Sequence, residues 1–128
     1  MMRTWVFAAL VFAASTATAP AQDLAAGEQS FRKCAPCHDI GEGAKTKLGP
    51  PLNGLEGRKA GTYEGFNYSE ANKNSGITWS KEEFDKYIRN PMQVMQGTRM
   101  AFVGIRNDKE IADLWAYLTQ FDAAGKKK

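Results

Sequence analysis

One histidine and two cysteines are all that this 128-residue chain contains of those residue types. That scarcity excludes a good deal. A structural zinc site takes four ligands, so a carboxylate would have to complete any set built here. No second histidine is available, so one chain cannot ligate a metal through two imidazoles. The two cysteines, Cys34 and Cys37, lie three apart, and a disulfide between them would close a strained loop too small to stabilise much. No strand-helix-strand pattern surrounds them, which removes the usual setting of a redox dithiol. Charge of one sign is also lacking. Seventeen basic residues against 14 acidic ones leave +3, too little to imply nucleic acid as a partner. The longest apolar run, Trp5 to Ala14, is far short of the roughly 20 residues that span a bilayer.

That short run has a different meaning. Arg3 precedes it, and small residues ending in Ala19-Pro20-Ala21 follow it. This is the three-part layout of a secretory signal peptide with an A-x-A cleavage site. Cleavage is expected after Ala21. Residues 1–21 are then the leader and 22–128 a single domain. No stable membrane anchor is expected.

What the chain does have is Cys34-Ala35-Pro36-Cys37-His38. Two cysteines at this spacing with an immediate histidine read as a c-type haem attachment site. The thiols add to the vinyl groups as thioethers, and the imidazole ligates iron. A domain this small struggles to build a core of its own. Twelve glycines, most of them between Gly41 and Gly104, add to the difficulty. A covalently held apolar macrocycle supplies the missing core surface, so the chain without haem is expected to fold poorly.

The remaining sequence reads as helices and loops around that group. Asp23 caps a helix over about Leu24 to Lys33, with Leu24, Gly27 and Phe31 on one face. Gly27 is read as a point of close approach by another helix. Asp39 to Gly61 is a glycine- and proline-rich loop whose Ile40, Leu48, Leu52 and Leu55 argue that it packs across one face of the haem. A short helix is expected around Ser69 to Asn74. Ser80 with Glu83, and Asn107 with Glu110, have capping-box spacing ahead of two further helices. Asn90-Pro91 closes the first of these. Ile111, Leu114, Trp115, Leu118 and Phe121 form the buried stripe of the second. Lys126 to Lys128 is expected to be a frayed tail.

The sixth iron position is less determined. Methionine is the usual partner of histidine in electron-transfer haems, and Met92, Met95 and Met100 are all candidates. Most methionines are core filler. Met92 and Met95 can pack as one helical turn, whereas Met100 sits in a glycine-bounded loop able to approach a porphyrin. An open position would instead suit gas binding or peroxide chemistry.

In the order and spacing of its tracts, the chain resembles the class I c-type cytochromes. Within them it is most like the bacterial cytochrome c2 group, the one nearest to mitochondrial cytochrome c. The tracts are Gly27 and Phe31, Cys34 to His38, Gly49-Pro50, Gly57-Arg58-Lys59, Tyr68 to Asn74, Gly76 to Trp79, Asn90-Pro91, Gly97 to Phe102, and Leu114 with Ala116 to Leu118. The resemblance implies an all-α fold of about five short helices wrapped around one haem c bound through Cys34 and Cys37. It implies His38 and Met100 as iron ligands and the Pro50 carbonyl as acceptor for the His38 ring. Arg58, Tyr68 and Trp79 would bond the propionates. Asn72, Tyr87 and Thr98 would form a polar network beside Met100. The implied function is that of a soluble, monomeric, periplasmic one-electron carrier, with no bond made or broken in a substrate. Its donor would be a quinol-oxidising cytochrome complex. Its acceptor would be a terminal oxidase, a photosynthetic reaction centre or a periplasmic dehydrogenase. Docking would use Lys33, Lys45, Lys47, Arg99 and Arg106 around the haem edge. Met92, Gln93 and Gln96 depart from the mitochondrial pattern and thin the cationic ring on that side.

Overall fold

The computed structural model describes residues 11–14 and 23–128. The expected leader and its cleavage point lie outside the described residues, apart from residues 11–14, where Val11 and Phe12 are exposed. Five helices form among the described residues: α1 (Leu24–Phe31), α2 (Glu70–Lys73), α3 (Lys81–Arg89), α4 (Pro91–Val94) and α5 (Asp108–Leu118). None is long and apolar enough to cross a membrane. Extended pairing among these residues is limited to two isolated bridges, Lys59 with Thr78 and Phe121 with Lys127.

Asp23, Ser69, Ser80, Asn90 and Asn107 cap these helices, each side-chain oxygen accepting a backbone N–H of the first turn. Asn90 also ends α3, and Pro91 opens α4 at a position where its missing N–H costs nothing. Only half of each expected capping box forms. Glu83 and Glu110 donate their backbone N–H groups to Ser80 and Asn107. The Glu110 carboxylate turns away to accept from Ser30 Oγ at 2.9 Å and from Lys33 Nζ. Its pKa is held below the ordinary value, chiefly by the Lys33 bond.

That carboxylate is part of the junction between α1 and α5. A Cβ at Gly27 would lie 2.2 Å from the Asp113 carbonyl oxygen and 2.8 Å from Tyr117 Cβ. Only glycine lets the two backbones meet. Asp113, buried in α5, accepts from the Asp23 backbone at 3.0 Å and from Lys109 Nζ at 2.6 Å. The rings of Phe31 and Tyr117 pack at 5.7 Å, and those of Phe84 in α3 and Trp115 in α5 at 5.1 Å. Leu114 and Leu118 are completely enclosed. The buried face of α1 centres on Gly27, Ser30 and Phe31; Leu24, expected on it, is exposed. The Asp23–Asp113 bond and the seat of Gly27 fix that rotation.

The C-terminal lysines are not frayed. Asp122 N–H donates to the Lys126 carbonyl at 2.9 Å and Lys128 N–H to the Gln120 carbonyl at 2.8 Å. The Lys127 ammonium lies 5.9 Å from the centre of the Phe121 ring. A lysine run read alone carries no sign of this return.

Candidate functional site

The helices and the long loop enclose a cavity of about 640 Å³, a size typical of cofactor sites. One wall grows directly out of α1. After Phe31 the chain turns once more, with the Cys37 and His38 N–H groups both donating to the Cys34 carbonyl, at 3.0 and 2.8 Å. This turn places Cys34, Cys37 and His38 on the cavity. Burial raises the Cys34 thiol to about 11, so the position suits a sulfur that carries no charge.

His38 is fixed by its ring nitrogen. Nδ1–H donates to the Pro50 carbonyl at 2.7 Å, which leaves the Nε2 lone pair for a metal. Burial lowers the His38 pKa and outweighs the opposing pull of that carbonyl, so the ring is neutral, as a ligand must be. The approach of the Pro50 loop is very close. A Cβ at Gly49 would meet His38 Cε1 at 2.4 Å. Gly49 N–H donates to the Cys37 carbonyl at 2.8 Å, and Leu52 N–H to that of Asp39 at 3.0 Å. Leu48, Leu52 and Leu55 complete this wall, as expected of the loop, whereas Ile40 packs into the core instead. Leu48 is 80% exposed despite lining the cavity, so it stands at the mouth.

A second part of the lining comes from α2, α3 and the segment after α4. Of the three candidate methionines, Met100 lines the cavity. Met95 is buried in the core, and Met92 is half exposed on α4. The Tyr87 hydroxyl donates to Met100 Sδ at 3.0 Å, and Met100 N–H donates to Thr98 Oγ1 at 3.2 Å. Burial pushes the Tyr87 pKa up to about 12, with the Thr98 hydroxyl opposing it more weakly. Asn72, expected in this network, is beside the cavity, but its buried Oδ1 has no partner among the described residues. Phe84 and Ile88 also face the cavity. They stand at i, i+4 with Tyr87 between them, and Phe84 also packs on Trp115 of α5.

A polar corner closes the site. Arg58 Nη1 donates to the Pro51 and Asn53 carbonyls at 3.2 and 3.0 Å, and its guanidinium lies 5.5 Å from the centre of the Tyr63 ring. Burial lowers its pKa. The Tyr68 hydroxyl accepts from Tyr63 N–H at 3.0 Å, which leaves its own proton free to donate. Trp79 lines the same corner. Cys34, Cys37, His38, Pro50, Arg58, Tyr68, Asn72, Trp79, Tyr87, Thr98 and Met100 therefore all border one cavity. Paired sulfurs, an imidazole with Nε2 free, a thioether on the same cavity and apolar walls suit a covalently held haem.

The expected docking cations are more dispersed. Lys33 and Arg99 lie at the cavity, and Lys45, Lys47 and Arg106 do not line it. Lys47 Nζ donates to the Ala35 carbonyl and Arg99 Nη1 to the Asn67 carbonyl, both at 3.1 Å.

Comparison with known proteins agrees with this geometry. Residues 24–122 match the family model described as Cytochrome c. A cytochrome c2 of Rhodoplanes tepidamans is 65% identical over 107 residues, which make up 84% of this chain and 100% of that protein. A cytochrome c2 of Blastochloris viridis is 57% identical over 127 residues, 99% of this chain and 100% of that protein. Among solved structures, cytochrome cH from Methylobacterium extorquens superimposes with a TM-score of 0.71 at 37% identity, covering 77% of this chain and 98% of that one.

Proposed function

The chain belongs to the cytochrome c family, as a class I cytochrome of the bacterial c2 group, and from that premise we propose how its residues serve electron transfer. It is an electron carrier and not an enzyme, and it holds one haem c through Cys34 and Cys37. When bound, the haem supplies a one-electron Fe(III)/Fe(II) couple.

The arrangement that carries the reading is the presence of His38 and Met100 on one cavity. Nδ1 of His38 is committed to Pro50 and Sδ of Met100 receives the Tyr87 hydroxyl, with both residues on one cavity. His38 would hold the iron through Nε2 and Met100 through its thioether sulfur. A thioether favours the reduced metal and so raises the potential. Leu52, Leu55, Phe84, Ile88 and Phe102 exclude water. Arg58, Tyr68 and Trp79 offer N–H and O–H donors to the propionates. Asn72 and Thr98 keep polar contact on the Met100 side.

Partners dock at the cavity mouth, where Lys33 and Arg99 stand, with Lys45, Lys47 and Arg106 as an outer ring. The contact is brief and weakens with salt. A quinol-oxidising cytochrome complex is the donor, and a terminal oxidase, reaction centre or periplasmic dehydrogenase is the acceptor. Location in the periplasm follows from the leader ending at Ala21. The Rhodoplanes relative supports it, since its full length matches over 107 residues, the number that follow Ala21 here.

The visible to near-infrared spectrum of the oxidised holoprotein tests the ligand pair. A weak sulfur-to-iron charge-transfer band is expected in the parent and absent in Met100→Ala. A parent without the band, or one that is high-spin, overturns Met100 as ligand.

A further inference from the structure

The segment from Thr98 to Arg106 is fastened at both ends, besides the Tyr87–Met100 and Arg99–Asn67 bonds within it. At its start, Thr98 N–H donates to the Met95 carbonyl at 3.0 Å. At its end, Ile105 N–H donates to the Ile88 carbonyl at 2.8 Å, and Gly104 rests on Arg89 so closely that a Cβ would lie 2.2 Å from the Arg89 carbonyl oxygen. The Arg89 side chain reinforces this end. Its Nε and Nη2 hold both oxygens of Asp85, at 2.9 and 3.2 Å, within α3. Nη2 also reaches Asp108 at the start of α5, and Nη1 donates to the Arg106 carbonyl at 3.1 Å. One guanidinium thus joins the end of α3, the end of the Met100 segment and the start of α5.

We propose that Arg89 is a positioning residue for Met100: its fork fixes the far end of the segment and thereby limits how often Met100 swings out of the cavity. The inference rests on the reading of Met100 as an iron ligand. An isolated surface ion pair has little effect. Arg89 differs because one planar group makes a bidentate pair and two further bonds to separate elements, so its geometry cannot relax locally. Local opening of the segment is then coupled to breaking all of them. Lysine keeps the charge and loses the fork.

Imidazole, added to the oxidised holoprotein, is the probe, because it takes the sixth position only when Met100 leaves. In Arg89→Gln the imidazole association constant is expected to rise about fivefold to tenfold, as local opening becomes easier. Arg89→Lys should rise by an intermediate factor, and it carries the test alone if Arg89→Gln does not fold. Amide exchange at Phe102 and Ile105 should quicken in parallel. Lys109→Gln, which breaks the Lys109–Asp113 bond elsewhere on α5, should stay within about twofold of the parent. Unchanged affinity in both Arg89 variants, or an equal rise in Lys109→Gln, overturns the role of Arg89. A parent lacking the charge-transfer band overturns the ligand reading first, and this inference with it.

Discussion

The His38 ring is anchored by a main-chain carbonyl, and the Met100 sulfur by a side-chain hydroxyl. His38 rests on a carbonyl, within a turn continuous with α1, and the loop behind it is tied by the Gly49 and Leu52 N–H groups. Met100 is held by the Tyr87 and Thr98 hydroxyls, and its segment by the Arg89 fork. Backbone anchors are indifferent to most substitutions. Side-chain anchors can be adjusted one at a time. The His38 contact is therefore built for permanence and the Met100 contact for tuning.

The sharpest challenge to that contrast is a side chain added behind His38. Gly49→Val drives a methyl-bearing Cβ into a ring 2.4 Å away. Overpacking of this kind costs about 1–3 kcal/mol, so the melting temperature of the holoprotein should fall on the order of 10 °C. A normal melting curve with unaltered low-spin absorption would mean that the proximal wall yields after all. Tyr87→Phe acts on the other wall and should spare the fold. The hydroxyl withdraws electron density from Met100 Sδ, which disfavours Fe(III), so its removal should lower the reduction potential. A hydrogen bond of about 1 kcal/mol corresponds to a change on the order of tens of millivolts. Voltammetry giving no change, or a rise, would deny the sulfur contact its tuning role.

A smaller effect is expected where α1 and α5 cross, which supports the His38 turn from outside. The pKa of Asp113 is lowered from 3.8 in the fold, first by Lys109 and then by the Asp23 N–H. A carboxylate with a depressed folded pKa stabilises above its unfolded value, and the benefit is lost as pH falls through the folded one. Asp113→Asn should therefore narrow the stability gap between pH 6 and pH 3 in urea titrations. An unchanged gap would place the acid sensitivity elsewhere.

Local chemistry was readable in the sequence because it is written in adjacent residues. The caps Asp23, Ser80 and Asn107, the attachment turn and the close approach at Gly27 all appear as anticipated. The glycine-bounded loop favoured Met100 over Met92 and Met95 without settling the choice, since which of them reaches the cavity depends on how α4 packs. Resemblance to the c-type cytochromes supplied that choice. The Glu110 carboxylate was read as a capping partner and instead serves α1, 80 residues away at Ser30. Nothing local in the sequence joins Asp85 and Arg89 of α3 to Asp108 of α5, and Arg106 is expected there only as a docking cation. The return of the lysine tail was hidden for the same reason.

The crossing of α1 and α5 also imposes an order on biosynthesis. The segment carrying Cys34 and Cys37 lies near the start of the chain, and the helix that seats it comes from the far end. Until residues 108–118 arrive, Gly27 has nothing to rest on. In the closed fold Cys34 is buried and its thiol is harder to ionise. A thiol in that state is a poor nucleophile, so thioether formation is expected to be faster before the two ends of the chain meet than after.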